Sequence, residues 1–244
     1  MKKFLSVLML CVLSLSVPFE AFAWNDGVDF PNFLVAAAKT KKKAPAKKKA
    51  VKKQSGPVTK LSRRQWDEFF QICLDNSLEK FVTKLEGANI SPNAKYHDSD
   101  DNWDSNLLML AASMTSNIEI IKFLLSKGAD VNARTNDGFS PLTSAISNQM
   151  YGANKEEFIN VLLRAGANIN AKDHFGRTPL MFALDLEDHH DGLIVEPKVI
   201  SLLLDAGADV NARDKHNQRA VDHARKHEEL RGTEILRRLE EASR

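Results

Sequence analysis

Histidines and carboxylates at helical spacing are the first residues in this chain that could carry out chemistry. His223 and His227 lie four residues apart on a predicted helix, so they share one face, and metal sites use this spacing. No third ligand of suitable type is evident nearby. In the His-Glu-x-x-His pattern of metalloproteases a glutamate follows the first histidine, and here that position is Ala224. We therefore interpret the two histidines as part of a solvated helix face.

Two other clusters give weaker signals of metal binding. His189, His190 and Asp191, together with Asp188, could hold a divalent ion weakly. Aspartates recur between 98 and 104, but this segment lacks the central glycine and terminal glutamate of an EF-hand loop. The sequence also contains no glycine-rich phosphate loop and no Gly-x-Ser-x-Gly nucleophile turn. It therefore predicts no catalytic residues, no resident metal and no cofactor.

One four-residue phrase recurs four times and indicates the elements that position the other side chains. The copies begin 41, 38 and 41 residues apart. A period of this order is typical of repeat architectures, in which each unit buries its apolar face only by stacking on its neighbours. Such proteins offer a long side surface, so binding is the expected function. The copies are Gly87-Ala88-Asn89-Ile90, Gly128-Ala129-Asp130-Val131, Gly166-Ala167-Asn168-Ile169 and Gly207-Ala208-Asp209-Val210.

Helical patterns precede the last three copies. Apolar residues recur at helical spacing over a wide face in 118–125, 158–163 and 199–204, which indicates helices buried between neighbours. The glycine of the phrase should end each helix, because glycine takes the left-handed conformation without steric cost. Upstream, Ser140-Pro141 and Thr178-Pro179 place a hydroxyl N-cap before a proline and so predict a second, shorter helix.

The succession of turn, short helix, longer helix and Gly-Ala-Asp-Val-Asn resembles the ankyrin repeat. The turn and first helix match best at 137–142 and 175–180, and Gly-Ala-Asp-Val-Asn-Ala stands intact at 128–133 and 207–212. The resemblance covers residues 65–244 and implies an all-α solenoid of stacked helix-turn-helix units with short β-hairpin fingers.

These patterns divide the chain into an N-terminal signal peptide, a Lys-rich segment and a row of repeats. The predicted boundaries are a signal peptide at 1–23, a short segment at 24–37, a Lys-rich disordered linker at 38–64, an N-terminal capping repeat at 65–95, ankyrin repeats at 96–133, 134–171 and 172–213, and a C-terminal capping repeat at 214–244.

The N-terminus has the pattern of a secretory signal peptide. Lys2 and Lys3 make a positive start, residues 4–17 are an apolar run, and Ala21-Phe22-Ala23 is a small-residue cleavage site. The run is shorter than the roughly 20 residues that a membrane span needs. We predict a bacterial protein exported to the periplasm or secreted. Cys73 would be the only cysteine of the mature chain, and we interpret it as a small buried apolar residue.

A lysine-rich run follows, and its charge is opposite to that of the repeats. Residues 24–64 hold 12 Lys+Arg and 2 Asp, net +10, whereas residues 65–244 hold 20 Lys+Arg and 29 Asp+Glu, net −9. The run cannot bury enough apolar area to fold, so we expect disorder. It could be a solvated spacer, a site for an anionic envelope polymer or lipid headgroup, or a segment that covers the acidic repeats. The polyanion site would consist of Lys41, Lys42, Lys43, Lys47, Lys48, Lys49, Lys52 and Lys53.

The resemblance implies that partners bind the fingertips and the exposed face of the first helices. An exposed aromatic ring at a tip is a good anchor, because it buries much area at little entropic cost, although a tip phenylalanine can equally fold back onto the next repeat. In the first helices, three other residues replace the histidine usual in the family. Extra residues between helices add loops that share one edge with these positions. The residues predicted to bind a partner are Trp103, Met109, Asn136, Phe139, Thr143, Tyr151, His174, Phe175, Arg177, Met181 and His216.

The sequence as a whole thus predicts an exported, non-catalytic and monomeric ankyrin-repeat protein that recognises an unidentified protein partner. The alternative is a polyanion-binding or envelope-surface protein in which the Lys-rich run dominates and the repeats are secondary.

Overall fold

A computed structural model of the protein describes residues 56–99, 103–148, 154–185, 187–188, 192–193 and 196–243. The chain divides into two compact units, and all described residues belong to the second, Ser55–Arg244. The predicted signal peptide, the segment at 24–37 and the eight lysines of the predicted polyanion site lie outside the described residues.

Helices dominate the described residues, with short strands between them. In chain order the elements are β1 (Val58–Lys60), α1 (Arg63–Leu74), α2 (Leu78–Gly87), β2 (Ile90–Asp98), β3 (Trp103–Asn106), α3 (Leu107–Met114), α4 (Ile118–Ser126), α5 (Pro141–Ile146), α6 (Lys155–Arg164), α7 (Pro179–Leu184), β4 (Glu187–Asp188), β5 (Gly192–Leu193), α8 (Pro197–Asp205), α9 (Ala220–Ala224), a 3-10 turn (Glu228–Leu230) and α10 (Glu234–Ala242).

The helices form successive pairs that stack side by side. The first helices α1, α3, α5, α7 and α9 contact one another in order and make one row, while α2, α4, α6, α8 and α10 make a second row. The two helices of each pair also contact each other. Each unit therefore buries its apolar surface mainly against its neighbours, and the predicted solenoid of stacked helical pairs is confirmed.

The first helices of the central pairs are short and enclosed. Helices α5 and α7 have six residues each, and all of them are buried. Their N-caps are Ser140 and Thr178, as predicted from the Ser-Pro and Thr-Pro pairs. Each side-chain oxygen accepts a hydrogen bond from the backbone N–H three residues later, at 3.2 and 3.4 Å. Asn106 caps α3 in the same way, at 2.9 Å. These caps satisfy N–H groups that would otherwise be buried without a partner.

The repeated phrase ends the second helix of each of the first four pairs. Gly128, Gly166 and Gly207 have φ values of +84°, +90° and +85°, so they adopt the left-handed conformation predicted from the sequence. The first copy differs, because Gly87 is the last residue of α2 and Asn89 takes the positive φ, +49°. Asparagine is one of the few other residues that tolerates this region.

An asparagine after the phrase joins one unit to the next. The amide nitrogen of Asn132 donates to the carbonyl of Gly166 at 2.9 Å, and its amide oxygen accepts the N–H of Asn168 at 2.8 Å. Asn93 makes the equivalent two bonds one unit earlier. Since each bond connects one copy of the phrase to the next, these side chains fix the register of the stack.

Hairpin fingers connect each pair to the next, and the first finger carries a small sheet. Strand β2 pairs antiparallel with β3, with Tyr96 opposite Ser105, and β1 adds in parallel on the other side of β2 to give the order β1-β2-β3. The predicted linker at 38–64 is therefore wrong at its C-terminal end. Val58–Lys60 is a strand and α1 begins at Arg63, because backbone pairing and the burial of Leu61 hold this stretch on the fold.

Aromatic packing fills the N-terminal part of the core. Trp66 stacks on Tyr96 with ring centroids 5.1 Å apart, and Phe69 packs against Phe81 at 5.0 Å. Cys73 is fully buried, as predicted, and burial raises the pKa of its thiol. Among the described residues, each helix is too short or too polar to cross a membrane.

Replacing Gly138 with alanine should destabilise the fold more than replacing Gly128. Both glycines have a φ near +80°, where alanine costs about 1–2 kcal/mol. A Cβ on Gly138 would lie 3.0 Å from backbone atoms of Asp173 and His174 in the next finger, whereas a Cβ on Gly128 meets nothing within 4 Å. Urea unfolding should show a further loss of about 1 kcal/mol for Gly138→Ala. Equal losses for the two variants would contradict the close approach of the fingers.

Candidate partner-binding surface

Three fingertips are five-residue turns with the same backbone bonds. The turns are 135–139, 173–177 and 214–218. In each, the N–H of the first residue donates to the carbonyl of the fifth at 3.0 Å, and the N–H of the fourth donates to the carbonyl of the first at 2.9–3.1 Å. The fourth residue has a positive φ, and in the last turn Asn217 takes the place of glycine there, at +63°.

The second and third residues of every turn are exposed, and we call these six side chains the fingertip row. The row consists of Asn136, Asp137, His174, Phe175, Lys215 and His216.

Backbone bonds hold adjacent tips in register. The N–H of His174 donates to the carbonyl of Asp137 at 2.9 Å, and the N–H of Lys215 donates to the carbonyl of Phe175 at 2.9 Å. The fingertip row is therefore a continuous edge that needs little ordering when a partner binds, which favours affinity.

Phe175 is the most prominent member of the row. Its side chain is 49% exposed, and it is the one large hydrophobic residue exposed to this degree in the part of the chain that the structure describes. The guanidinium of Arg177 lies 5.0 Å from the Phe175 ring centroid and 5.4 Å from that of Phe182. Arg177 thus makes a cation–π contact with one face of the Phe175 ring, and the exposed part of the ring is available to a partner.

Four residues predicted from the sequence, namely Asn136, His174, Phe175 and His216, lie together in the fingertip row. Phe139 takes the folded-back alternative: it is half-buried and packs edge-to-face on Phe182, with ring centroids 5.6 Å apart. The backbone of Trp103 lies in β3 opposite Asp98, and its side chain lies outside the described part, as does all of Tyr151.

Three predicted first-helix positions are not on the surface. Met109, Thr143 and Met181 have exposed fractions of 3%, 4% and 0%. Their helices α3, α5 and α7 are enclosed by the first helices on either side and by their own second helices. The expected exposure of these positions is therefore wrong, and they do not belong to the candidate surface.

Arg177, also predicted to face a partner, is buried instead in a group of charged side chains. Its Nη2 lies 2.8 Å from Oδ2 of Asp173, and its Nη1 lies 3.4 Å from Oδ2 of Asp185. Asp185 also faces His223, whose Nδ1 is 2.7 Å from its Oδ1, and the Nε2 of His223 is 3.1 Å from Oδ2 of Asp214. We call Asp173, Arg177, Asp185, His223 and Asp214 the buried charge chain.

The buried charge chain fastens the last helix pair to the one before it. Asp185 follows α7, whereas Asp214 and His223 belong to the last finger and to α9. The imidazole of His223 lies between the two carboxylates, with one ring nitrogen facing each of them. Burial alone would raise the pKa of Asp185 and of Asp214, but the bond from His223 and, for Asp214, the N–H groups of Gln218 and His216 hold both pKa values below their usual range.

The prediction that His223 and His227 lie on a solvated face is wrong. Both residues are 2% exposed: His223 lies on α9, which is covered by α7 and α10, whereas His227 lies beyond the end of α9, at the start of the 3-10 turn. The Nε2 of His227 lies 2.5 Å from the carbonyl oxygen of Leu184. The role of the two histidines that this geometry indicates is to fix α9 on its neighbour.

In the described ranges, no group of three or more His, Cys, Asp or Glu residues could hold a metal ion. His189 and His190 lie outside the described residues.

The comparisons with known proteins agree with the geometry of the stack. A family model described as ankyrin repeats (3 copies) matches residues 69–173 and 108–214. A comparison with curated proteins finds no match.

Proposed function

The chain belongs to the ankyrin-repeat family, and we propose that it binds a protein partner along its fingertip row. Ankyrin repeats are protein–protein interaction modules. The observation that supports this site most strongly is Phe175, a half-exposed aromatic ring on a row of tips tied together by backbone bonds. An aromatic anchor at the centre with polar and charged groups around it is the arrangement found in protein interfaces.

We also propose that the protein has no catalytic activity of its own, as is typical of this family, and that it works as a monomer. Its specificity then depends on the side chains of the fingertip row and on the extra residues that the sequence inserts at 148–156 and 186–197, part of which lies outside the described residues. These loops are inserted between the helices of adjacent pairs, where added residues often contribute to binding.

Export is part of the proposal, and it rests on the sequence of the first 23 residues. The positive start, the apolar run and the small-residue cleavage site have the pattern of a secretory signal peptide. In the periplasm or outside the cell, the lysines at 39–53 would serve as a spacer between the repeats and the envelope surface.

Polyanion binding by the Lys-rich run is the second candidate function, and the charge contrast favours it. The run carries most of the net +10 of residues 24–64, so an anionic polymer or lipid headgroup would bind it with a steep dependence on salt. Deleting 39–53 leaves β1 in place and separates the two functions. Loss of envelope association with partner capture intact would assign that association to the run, and unchanged association at low salt would reject it.

Replacing His174 and Phe175 together with alanine should abolish partner capture from a native extract. Truncating a central aromatic anchor costs about 2 kcal/mol or more, so the affinity for the captured protein should fall by at least about tenfold. The matched control is Lys122→Ala with Glu157→Ala, two exposed residues on adjacent second helices whose charged atoms are 4.0 Å apart. Equal capture by both variants would show that the fingertip row does not bind the partner.

A further inference from the structure

A basic residue occupies the same position in four successive fingers, and we call these four residues the basic ladder. Each follows the Asn-Ala pair that comes after the repeated phrase. The ladder consists of Lys95, Arg134, Lys172 and Arg213. Three of the four side chains are exposed and that of Arg134 is half-buried.

Hydrogen bonds to backbone carbonyls orient three of the four ladder side chains. Arg134 Nη2 donates to the carbonyl of Lys172, and Lys172 Nζ donates to the carbonyl of Arg213 at 2.9 Å. Arg213 Nη1 donates to the carbonyl of Asn217 at 2.8 Å. Two of these bonds run from one ladder residue to the next, so the cationic groups are aligned in one file across the fingers.

The ladder cations have no carboxylate partner among the residues that the structure describes. Elsewhere in the stack cations are commonly paired: Lys127 lies 2.9 Å from Glu86, and Lys122 lies 2.8 Å from Glu119. The contrast is informative, because acidic residues outnumber basic ones by 29 to 20 in residues 65–244. Arg134, Lys172 and Arg213 bind only neutral carbonyls, and such cations keep their full capacity to attract an anion.

The spacing of the ladder fits an extended polypeptide. Packed helices lie about 8–10 Å apart, so successive fingers and their cations repeat at about that distance. A chain in the extended polyproline II conformation has three residues per turn and advances about 3.1 Å per residue, so carboxylates at every third position lie on one face and repeat at about 9 Å. A single-stranded nucleic acid is a poorer occupant, because its bases need a series of stacking rings and the fingertip row offers one large aromatic ring, Phe175.

We propose that the basic ladder binds an extended acidic segment of the partner protein, with one carboxylate at each finger. This rests on the proposed function, and it assigns the partner a chemical class. The segment lies across the bases of the fingers while Phe175 in the fingertip row takes an apolar side chain of the same partner. Exposed charge pairs of this kind make association faster and selective for acidic sequences.

The test uses the full chain and a labelled peptide of about twelve residues with glutamate at every third position among glycine and serine. Fluorescence anisotropy should show that Lys172→Ala with Arg213→Ala weakens binding about tenfold, the combined effect of two exposed ion pairs. The matched control, Arg164→Ala with Lys198→Ala, removes two exposed cations from second helices and keeps the Lys-rich run. The control should bind as the unsubstituted chain does.

Equal affinities for the ladder variant and its control would overturn the proposal, because the Lys-rich run alone would then account for binding. A single-stranded oligonucleotide that depends on the ladder more strongly than the peptide does would also overturn it. Capture of the natural partner separates this proposal from the proposed function. If His174→Ala with Phe175→Ala abolishes capture and the ladder variant does not, the ladder proposal fails while the fingertip row stands; if neither variant affects capture, both fail.

Discussion

Replacing His223 with leucine should lower the free energy of unfolding by about 3 kcal/mol, the lower end of the range for breaking a buried ion pair. The variant leaves the buried carboxylates of Asp185 and Asp214 without the group that bridges them at 2.7 and 3.1 Å. The loss stays at the lower end because Asp185 keeps Arg177, and Asp214 keeps two backbone N–H donors. Urea unfolding followed by circular dichroism measures it.

His216→Leu is the matched control for this variant, because His216 is exposed in the same finger. The control should change the free energy of unfolding by less than about 0.5 kcal/mol. Hydrogen exchange should locate the loss from His223→Leu in residues 220–243, since the buried charge chain joins these to the preceding pair. A loss below 1 kcal/mol, or exchange that is faster throughout, would contradict this assignment.

The buried charge chain also sets the response of the fold to acid. The pKa values of Asp185 and Asp214 are lower in the folded protein than in the unfolded chain, where they lie at about 3.9. Their stabilisation is therefore complete above the unfolded pKa and is lost as the pH falls through the folded values. In the His223→Leu variant the slope of stability against pH below about pH 4 should be shallower than in the unsubstituted protein.

Replacing Phe158 with alanine should lower the free energy of unfolding by about 3–5 kcal/mol. Phe158 is 1% exposed on α6, the second helix of the middle pair, so the substitution leaves a cavity in the core. In a stack, stability is a sum of unit terms and nearest-neighbour terms, and a cavity in the middle pair weakens contacts on both sides. Thermal and urea unfolding measure the loss.

Phe175→Ala is the control for the Phe158 variant, because it removes the same side chain from a half-exposed position. It should change stability by less than about 1 kcal/mol and affect partner binding instead. A loss of stability for Phe175→Ala as large as that for Phe158→Ala would mean that Phe175 serves the fold rather than a partner.

The elements of the stack could be predicted from the sequence because their signals are local. The glycine that ends a second helix and the hydroxyl residue that begins a first helix act within a turn of their own position, as Gly128 and Ser140 show. The linkage by Asn132 could not be predicted from this pattern, because its two bonds reach residues 34 and 36 positions away in the next unit.

The buried charge chain depends on tertiary contact and therefore has no local signal. The spacing of His223 and His227 predicts that they share a helix face, but α9 ends at Ala224, and the spacing does not indicate what covers either side chain. Asp185 is 38 residues from His223, and Asp214 is 9 residues away, so only the stacking of the last two pairs brings the three together. Asp173 and Asp214 are each the first residue of a five-residue turn, and this repetition in the sequence indicates that they have the same role.

The burial of the first helices did have a signal in the sequence. Residues 107–112 read Leu-Leu-Met-Leu-Ala-Ala, and a helix that is apolar on every side is buried. This local pattern indicates burial of Met109 and Met181, against the exposure that the family resemblance implies. The strand at Val58–Lys60 is not predicted from composition, because lysines dominate the average over residues 38–64. Two apolar residues, Val58 and Leu61, nevertheless hold this segment on the fold.

Site-specific photo-crosslinking tests most directly whether the fingertip row is where a protein partner binds. A photoreactive amino acid is placed at position 175 in one variant and at position 122, an exposed site on α4, in another. Illumination in the native cellular compartment should yield one discrete adduct from position 175 and none from position 122. Adducts from position 122 alone, or the same adducts from both positions, would contradict the account.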